Sequence, residues 1–178
     1  TFIINGNDTE GKAGQAIQLD KTGASTINVT GNSIFEINGT NRGYVNSPTI
    51  YVEDSTFTVQ NCTSNGSNGG KFTAINSQIT YKNNAGHGLS AGNVTIQNST
   101  VDCNNNGLFG LTYSGNLTVD GTSVINANGN AVNGSGAGIR ASSSSGTSLV
   151  EAGAQISILN NQHNGLENYG KFTFEDGV

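Results

Sequence analysis

Short runs in which apolar and polar residues alternate return along this chain at a nearly constant interval. Aligned, the segments read "TINVTGNSIFEINGTNRGYVNS", "TIYVEDSTFTVQNCTSNGSNGG", "KFTAINSQITYKNNAGHGLSAG", "NVTIQNSTVDCNNNGLFGLTYSG", "NLTVDGTSVINANGNAV", "SLVEAGAQISILNNQHNGLENYG" and "KFTFEDGV". The leading column is Ile27, Ile50, Phe72, Val94, Leu117, Leu149 and Phe172. Its steps are 22 or 23 residues, except for 32 between Leu117 and Leu149. Two positions after the leader stand Val29, Val52, Ala74, Ile96, Val119 and Phe174. An apolar residue at every second place is strand periodicity with one face turned inward.

Three further columns keep the same phase. Seven positions after the leader come Ile34, Phe57, Ile79, Val101, Val124 and Ile156. Eleven positions after it come Asn38, Asn61, Asn83, Asn105, Asn128 and Asn160. Sixteen positions after it come Gly43, Gly66, Gly88, Gly110 and Gly165, with Gly138 taking the role in the long turn. A low-complexity disordered chain has no reason to hold four columns in register. The period instead predicts three short strands per turn, stacked at strand spacing into parallel sheets. The expected fold is all-β: a right-handed parallel β-helix of about seven turns of 22–23 residues, one of them lengthened. Residues 1–178 form one such domain.

The columns have physical causes. Asparagine enters left-handed backbone more cheaply than most residues with a β-carbon, which suits a sharp bend. Stacked one turn apart, Asn amides can also pair along the axis, so Asn38, Asn61, Asn83, Asn105, Asn128 and Asn160 are expected to form a ladder. The glycine column is expected at the next bend, for its backbone freedom.

The pattern "NNxxxGL", a polar turn and then alternating Val or Ile resembles the repeats of the pectate-lyase-like β-helix superfamily. That superfamily includes polysaccharide lyases and hydrolases, phage tailspikes, and adhesive or stalk regions of bacterial surface proteins. Asn-, Gly-, Ser- and Thr-rich turns with little charge are most similar to the last group. The resemblance implies an extracellular segment of a longer secreted or surface-anchored protein. Phe2 to Ile17 reads as an irregular turn and Phe172 to Val178 as the start of another.

Composition narrows the functions. Charged residues are 11% of the chain, the net charge is −5, and only seven Lys and Arg are present. No basic run exists for a phosphate backbone, which argues against nucleic acid. No apolar stretch is long enough to insert in a membrane as a helix. Neither cofactor nor metal is expected: His87 and His163 lie three turns apart, at bends open to water, without partners at ligand spacing. Cys62 and Cys103 stand two turns apart and are expected to remain free thiols, Cys103 in the core.

The superfamily's lyases use acids, often with Ca²⁺, beside Arg or Lys, and its hydrolases cluster aspartates. Two carboxylates cleave a glycosidic bond when about 5–9.5 Å apart. Glu53 and Asp120 fall three turns apart, too far to cooperate. Glu151 falls in an inward column, from which a bulge could turn it out beside Asp120. Asp120, Arg140, Glu151 and Glu175 are the one constellation suited to such chemistry. The lengthened turn, "ANGNAVNGSGAGIRASSSSG", reads either as a binding loop or as a floppy excursion around Ser142 to Ser145. Aromatic rings beside hydroxyl and amide groups contact sugars, which adds Tyr51, Gln97 and Tyr113 to Asp120, Arg140 and Glu151 as candidate ligand-binding residues. The expected function is non-catalytic adhesion to, or recognition of, host or environmental glycans or glycoproteins. The alternatives are a passive stalk, and part of a polysaccharide lyase or glycoside hydrolase.

Overall fold

A computed structural model describes residues 1–6, 14–19 and 25–177. Parts of the irregular opening turn, and the last residue of the closing one, lie outside them. The described residues form a parallel β-solenoid of about seven coils without a helix. The first sheet stacks Thr26–Val29, Thr49–Glu53, Lys71–Ile75, Asn93–Gln97, Leu117–Val119, Thr147–Val150 and Lys171–Phe174. The second stacks Phe2–Asn5, Ile34–Asn38, Thr56–Gln60, Gln78–Lys82, Thr100–Asn104, Val124–Asn126 and Gln155–Ser157. The third stacks Leu89–Ala91, Leu111–Tyr113, Ala137–Ala141 and Asn164–Asn168. It is prolonged toward the N-terminus through Ser67, which bridges to Tyr44, and through the paired strands Gln15–Gln18 and Arg42–Val45.

The stacking has the expected period but not always the expected phase. Phe35, not Ile34, pairs with Phe57, and Ile125, not Val124, continues the column from Val101. Phe35 and Ile37 are buried while Ile34 is 47% exposed. The expected alignment would have turned Glu36 inward, at the cost of an unpaired buried carboxylate. The same slip occurs at Leu149: Thr118 pairs with Leu149, and Ser148 pairs with Leu117 on the inner face. Ser148 is buried and its hydroxyl lies 2.7 Å from that of Tyr113, which gives a buried phenol the partner it needs. Val150 then packs inside, and Glu151 faces out without any bulge.

The cause of the slips lies at the corner between the first and second sheets. Asp54, Asn76 and Asn98 make tight corners through a single left-handed residue, with φ of 48°, 49° and 44°. Gly31–Ser33, Gly121–Ser123 and Ala152–Ala154 make corners one residue longer. A serine ladder binds this corner together. The amides of Ser33, Ser55, Ser77 and Ser99 donate to the hydroxyls of Ser55, Ser77, Ser99 and Ser123, at 3.0–3.2 Å.

The asparagine ladder is real but sits one residue beyond the expected column. Asn84, Asn106, Asn130 and Asn161 point inward, and Asn84, Asn106 and Asn130 are almost wholly buried. The amides of Cys62, Asn84, Asn106 and Asn130 donate to the Oδ1 atoms of Asn84, Asn106, Asn130 and Asn161. Each Nδ2 in turn donates to a carbonyl: Val59, Tyr81, Cys103 and Ala127. Of the expected ladder, Asn61, Asn83, Asn105 and Asn160 are left-handed bend residues at φ of 55–57°. Asn38 and Asn128 stand one place earlier, before Gly39 and Gly129, which take the left-handed role there. Members of this outer set are joined to one another by only two side-chain links, Asn61 to Asn38 and Asn83 to Asn61.

The glycine column keeps its expected positions for a different reason. None of Gly43, Gly66, Gly88, Gly110, Gly138 and Gly165 has a positive φ. A Cβ at Gly66, Gly88, Gly110 or Gly138 would stand 2.7–2.8 Å from the Nδ2 of Asn84, Asn106, Asn130 or Asn161. Glycine makes room for the amide ladder rather than for a bend. Cys103 is buried in register with Tyr81, and Cys62 and Cys103 are both free.

Candidate functional site

The expected site residues divide among the faces. Tyr51 and Gln97 lie on the first sheet, Tyr51 half-buried between Asn28 and Thr73 and Gln97 exposed. Asp120, Glu151 and Glu175 follow one another down a single outward column of that sheet. Arg140 stands on the third sheet, so the constellation of acids and arginine does not assemble. Tyr113 is 1% exposed and belongs to the core, which takes it out of any ligand face.

Asp120 is committed to its own corner. Its carboxylate accepts bonds from the amides of Asn98 and Thr122 and from the hydroxyls of Thr122 and Ser123, at 2.6–3.2 Å. Partial burial pushes the carboxyl up, but the Ser123, Asn98 and Thr122 donors outweigh it and hold the group below the usual carboxylate range. Glu175 accepts the amide of Ala152 at 3.3 Å. Among the described residues no three His, Cys, Asp or Glu are grouped to hold a metal.

The lengthened coil builds a different site. The step from Asn106 to Gly110 becomes Asn130 to Gly138, and that from Tyr113 to Leu117 becomes Ala141 to Ser148. Both insertions therefore flank one strand, Ala137–Ala141, on the third sheet. They are anchored rather than loose. Asn133 donates its amide to Gly107 and its Nδ2 to Ala85, and Ser142 donates both its amide and its hydroxyl to Tyr113.

Arg140 projects from this strand between Thr112 and Glu167 of the neighbouring coils. Its Cζ lies 4.8 Å from the Phe109 ring centroid and 5.6 Å from that of Tyr169. Its Nε is 3.5 Å from Glu167 Oε2, an ion pair too long to count as a good hydrogen bond. Glu167 is fixed in turn by Asn164, whose Nδ2 donates to Oε1 at 2.8 Å. His87 stacks on the opposite side of the group, its ring 5.2 Å from Phe109. One coil after another thus contributes His87, Phe109, Arg140 and Tyr169 to a stripe along the axis. Cation–π contacts of this kind contribute about 0.5–2 kcal/mol each. Tyr169 remains 59% exposed and Arg140 33%.

His87, expected at a bend open to water, is largely covered, and its Nδ1 has no hydrogen-bond partner among the described residues. Burial, then the Arg140 charge, pushes the imidazole below its ordinary range. The folded chain thus resists a proton that the unfolded chain accepts. His87 contributes stability that is full above the unfolded pKa of about 6.5 and is lost as pH falls through the lower folded value. Melting temperature should therefore fall on acidification from pH 7.5 more steeply in the native chain than in His87→Gln. Parallel pH profiles of the two would rule this coupling out.

Phe109, Glu167 and Tyr169 were not among the sequence candidates. The signal for Phe109 was available: His87 and Phe109 both precede the glycine column, in "HGL" and "FGL". No family profile matches the chain, and neither a curated protein nor a solved structure does.

Proposed function

We propose that this solenoid is a non-catalytic extracellular recognition domain that binds glycans across its third sheet. In this reading it works as the adhesive regions of pectate-lyase-like surface proteins do. One observation carries the proposal: the single lengthened coil among the described residues brackets the strand where Arg140 meets Phe109 and Tyr169. Insertions in a regular solenoid concentrate on the face that binds. An exposed ring beside a fixed hydrogen-bond donor suits a sugar, whose C–H face stacks while its hydroxyls accept. The low count of cations, with a net charge of −5, points away from nucleic acid. Among the described residues no helix is long and apolar enough to cross a membrane.

Glycan-array binding, followed by titration calorimetry on the best ligand, tests the proposal. Arg140→Ala and Tyr169→Ala should each weaken binding at least about tenfold, as expected for a central contact. Tyr51→Ala, on the first sheet, should leave it intact. Loss confined to Tyr51→Ala would move the site to the first sheet, where Gln97, Asp120 and Glu151 also face out. Binding to no glycan would favour a passive stalk, a reading supported by the unbroken serine and asparagine ladders. Unsaturated products or new reducing ends released from a polysaccharide would favour an enzyme.

A further inference from the structure

Arg140 carries the positive charge of its face almost alone. Among the described residues of the third-sheet strands the other cation is Arg42, four coils away, about 19 Å at sheet spacing. The one carboxylate among them, Glu167, lies against Nε and is held there by Asn164. Nε is buried, while a third of the Arg140 side chain is exposed. The inner edge of the guanidinium is thus occupied by Glu167. The Arg140 Cζ lies over the Phe109 and Tyr169 rings, and the two Nη donors are left for a ligand.

We propose that the third sheet recognises an otherwise neutral glycan through one isolated anionic substituent, held by the Arg140 fork while the adjoining sugar ring lies on Tyr169. The inference rests on the recognition reading above and narrows it to a ligand class. A guanidinium offers parallel N–H donors to the paired oxygens of a carboxylate or a sulfate ester, an arrangement a lysine cannot copy. The Glu167 ion pair and the flanking Phe109 and Tyr169 rings hold the fork near its place in advance, which lowers the ordering cost of binding. A single charge suits the site and a polyanion does not. A second anionic group would find no other cation on the neighbouring third-sheet strands, the next in sequence being Lys171 beyond the corner, would meet Glu167, and would approach a chain of net charge −5.

An array that prints neutral oligosaccharides beside the same oligosaccharides bearing one terminal sialic acid or one sulfate ester tests this, with heparin and polygalacturonate as polyanions. A mono-anionic form should bind at least about tenfold more tightly than its neutral parent, since a hydrogen-bonded charge is worth about that much. The polyanions should bind more weakly than the mono-anionic form. Arg140→Gln should reduce mono-anionic binding to the level of the neutral parent, and Arg140→Lys should lose most of the preference despite keeping the charge. Circular dichroism unchanged in both variants would show that the fold is intact. Whether sialic acid or sulfate binds best identifies the oxyanion and supports the inference in either case. Equal binding of neutral and mono-anionic forms, tightest binding to a polyanion, or a preference that survives Arg140→Gln would overturn it while sparing the recognition reading. Binding to no sugar would remove that reading, and this inference with it.

Discussion

Asn106→Leu should destabilise the solenoid by about 4 kcal/mol, although leucine fills a similar volume. Asn106 is wholly buried and joins three coils. Its Oδ1 accepts from both the amide and the Nδ2 of Asn84, and its Nδ2 donates to the carbonyl of Tyr81 and to Asn130 Oδ1. Leucine would strand the Asn84 amide and the Tyr81 carbonyl away from water, and each unmade bond costs roughly 1–3 kcal/mol. The adjacent Asn105 makes the informative contrast. It is exposed, its φ is 57°, and its role is the bend. Asn105→Gly should therefore change stability by only a few tenths of a kcal/mol. Urea unfolding of the two variants measures the difference. Equal losses would mean that the inner amides are not what holds the coils in register.

Gly110→Ala should be nearly as damaging, at about 3 kcal/mol, by overpacking rather than by strain in φ. The added Cβ would lie 2.7 Å from Asn130 Nδ2, from the Cys103 carbonyl and from the Gly138 carbonyl. Two of these are backbone atoms and the third is a buried ladder amide, so none can yield without disturbing its own bonds. Gly39 behaves oppositely. Its φ is 66° and its nearest neighbours to a Cβ are backbone atoms of Gly6 at 3.8 and 3.9 Å. Asn61, Asn83 and Asn105 hold the same bend in later coils, so Gly39→Asn should cost less than about 1 kcal/mol. Melting temperatures of the two glycine variants, read by circular dichroism, check both expectations. A tolerated Gly110→Ala would mean that this column does not face the amide ladder.

The same pair of positions shows what the sequence reveals and what it hides. Period, fold class and the glycine column were legible because every coil must match its neighbour along the axis. Phase was less so, because a corner can absorb one residue without disturbing the sheets beyond it. Alternation inside each run held the missing information. In Ile34–Phe35–Glu36–Ile37, only Phe35 and Ile37 can share the inner face without burying Glu36, and in Ser148–Leu149–Val150–Glu151 parity likewise turns Glu151 outward. Counting a fixed offset from the leader overrode that parity. The asparagine ladder is displaced for a different reason: in Asn83–Asn84 and Asn105–Asn106 two asparagines stand together, the first making the bend and only the second facing inward. The site was less legible than the fold. Arg140 was flagged by its position in the lengthened turn, but its neighbours come from the two adjoining coils. Tyr169 and Glu167 follow it by more than twenty residues, and Phe109 precedes it by about thirty. Only a register that places Thr112, Arg140 and Glu167 side by side brings them together.

The most direct test of the account is where a bound sugar is felt along the three faces. Amide chemical shifts of the native chain, followed while the best array ligand is added, locate the contact without any substitution. Saturable shifts are expected to centre on Phe109, Arg140, Glu167 and Tyr169 and to fade along the third sheet toward Ser90. Saturable shifts confined to the first or second sheet, with these four residues unmoved, would contradict it.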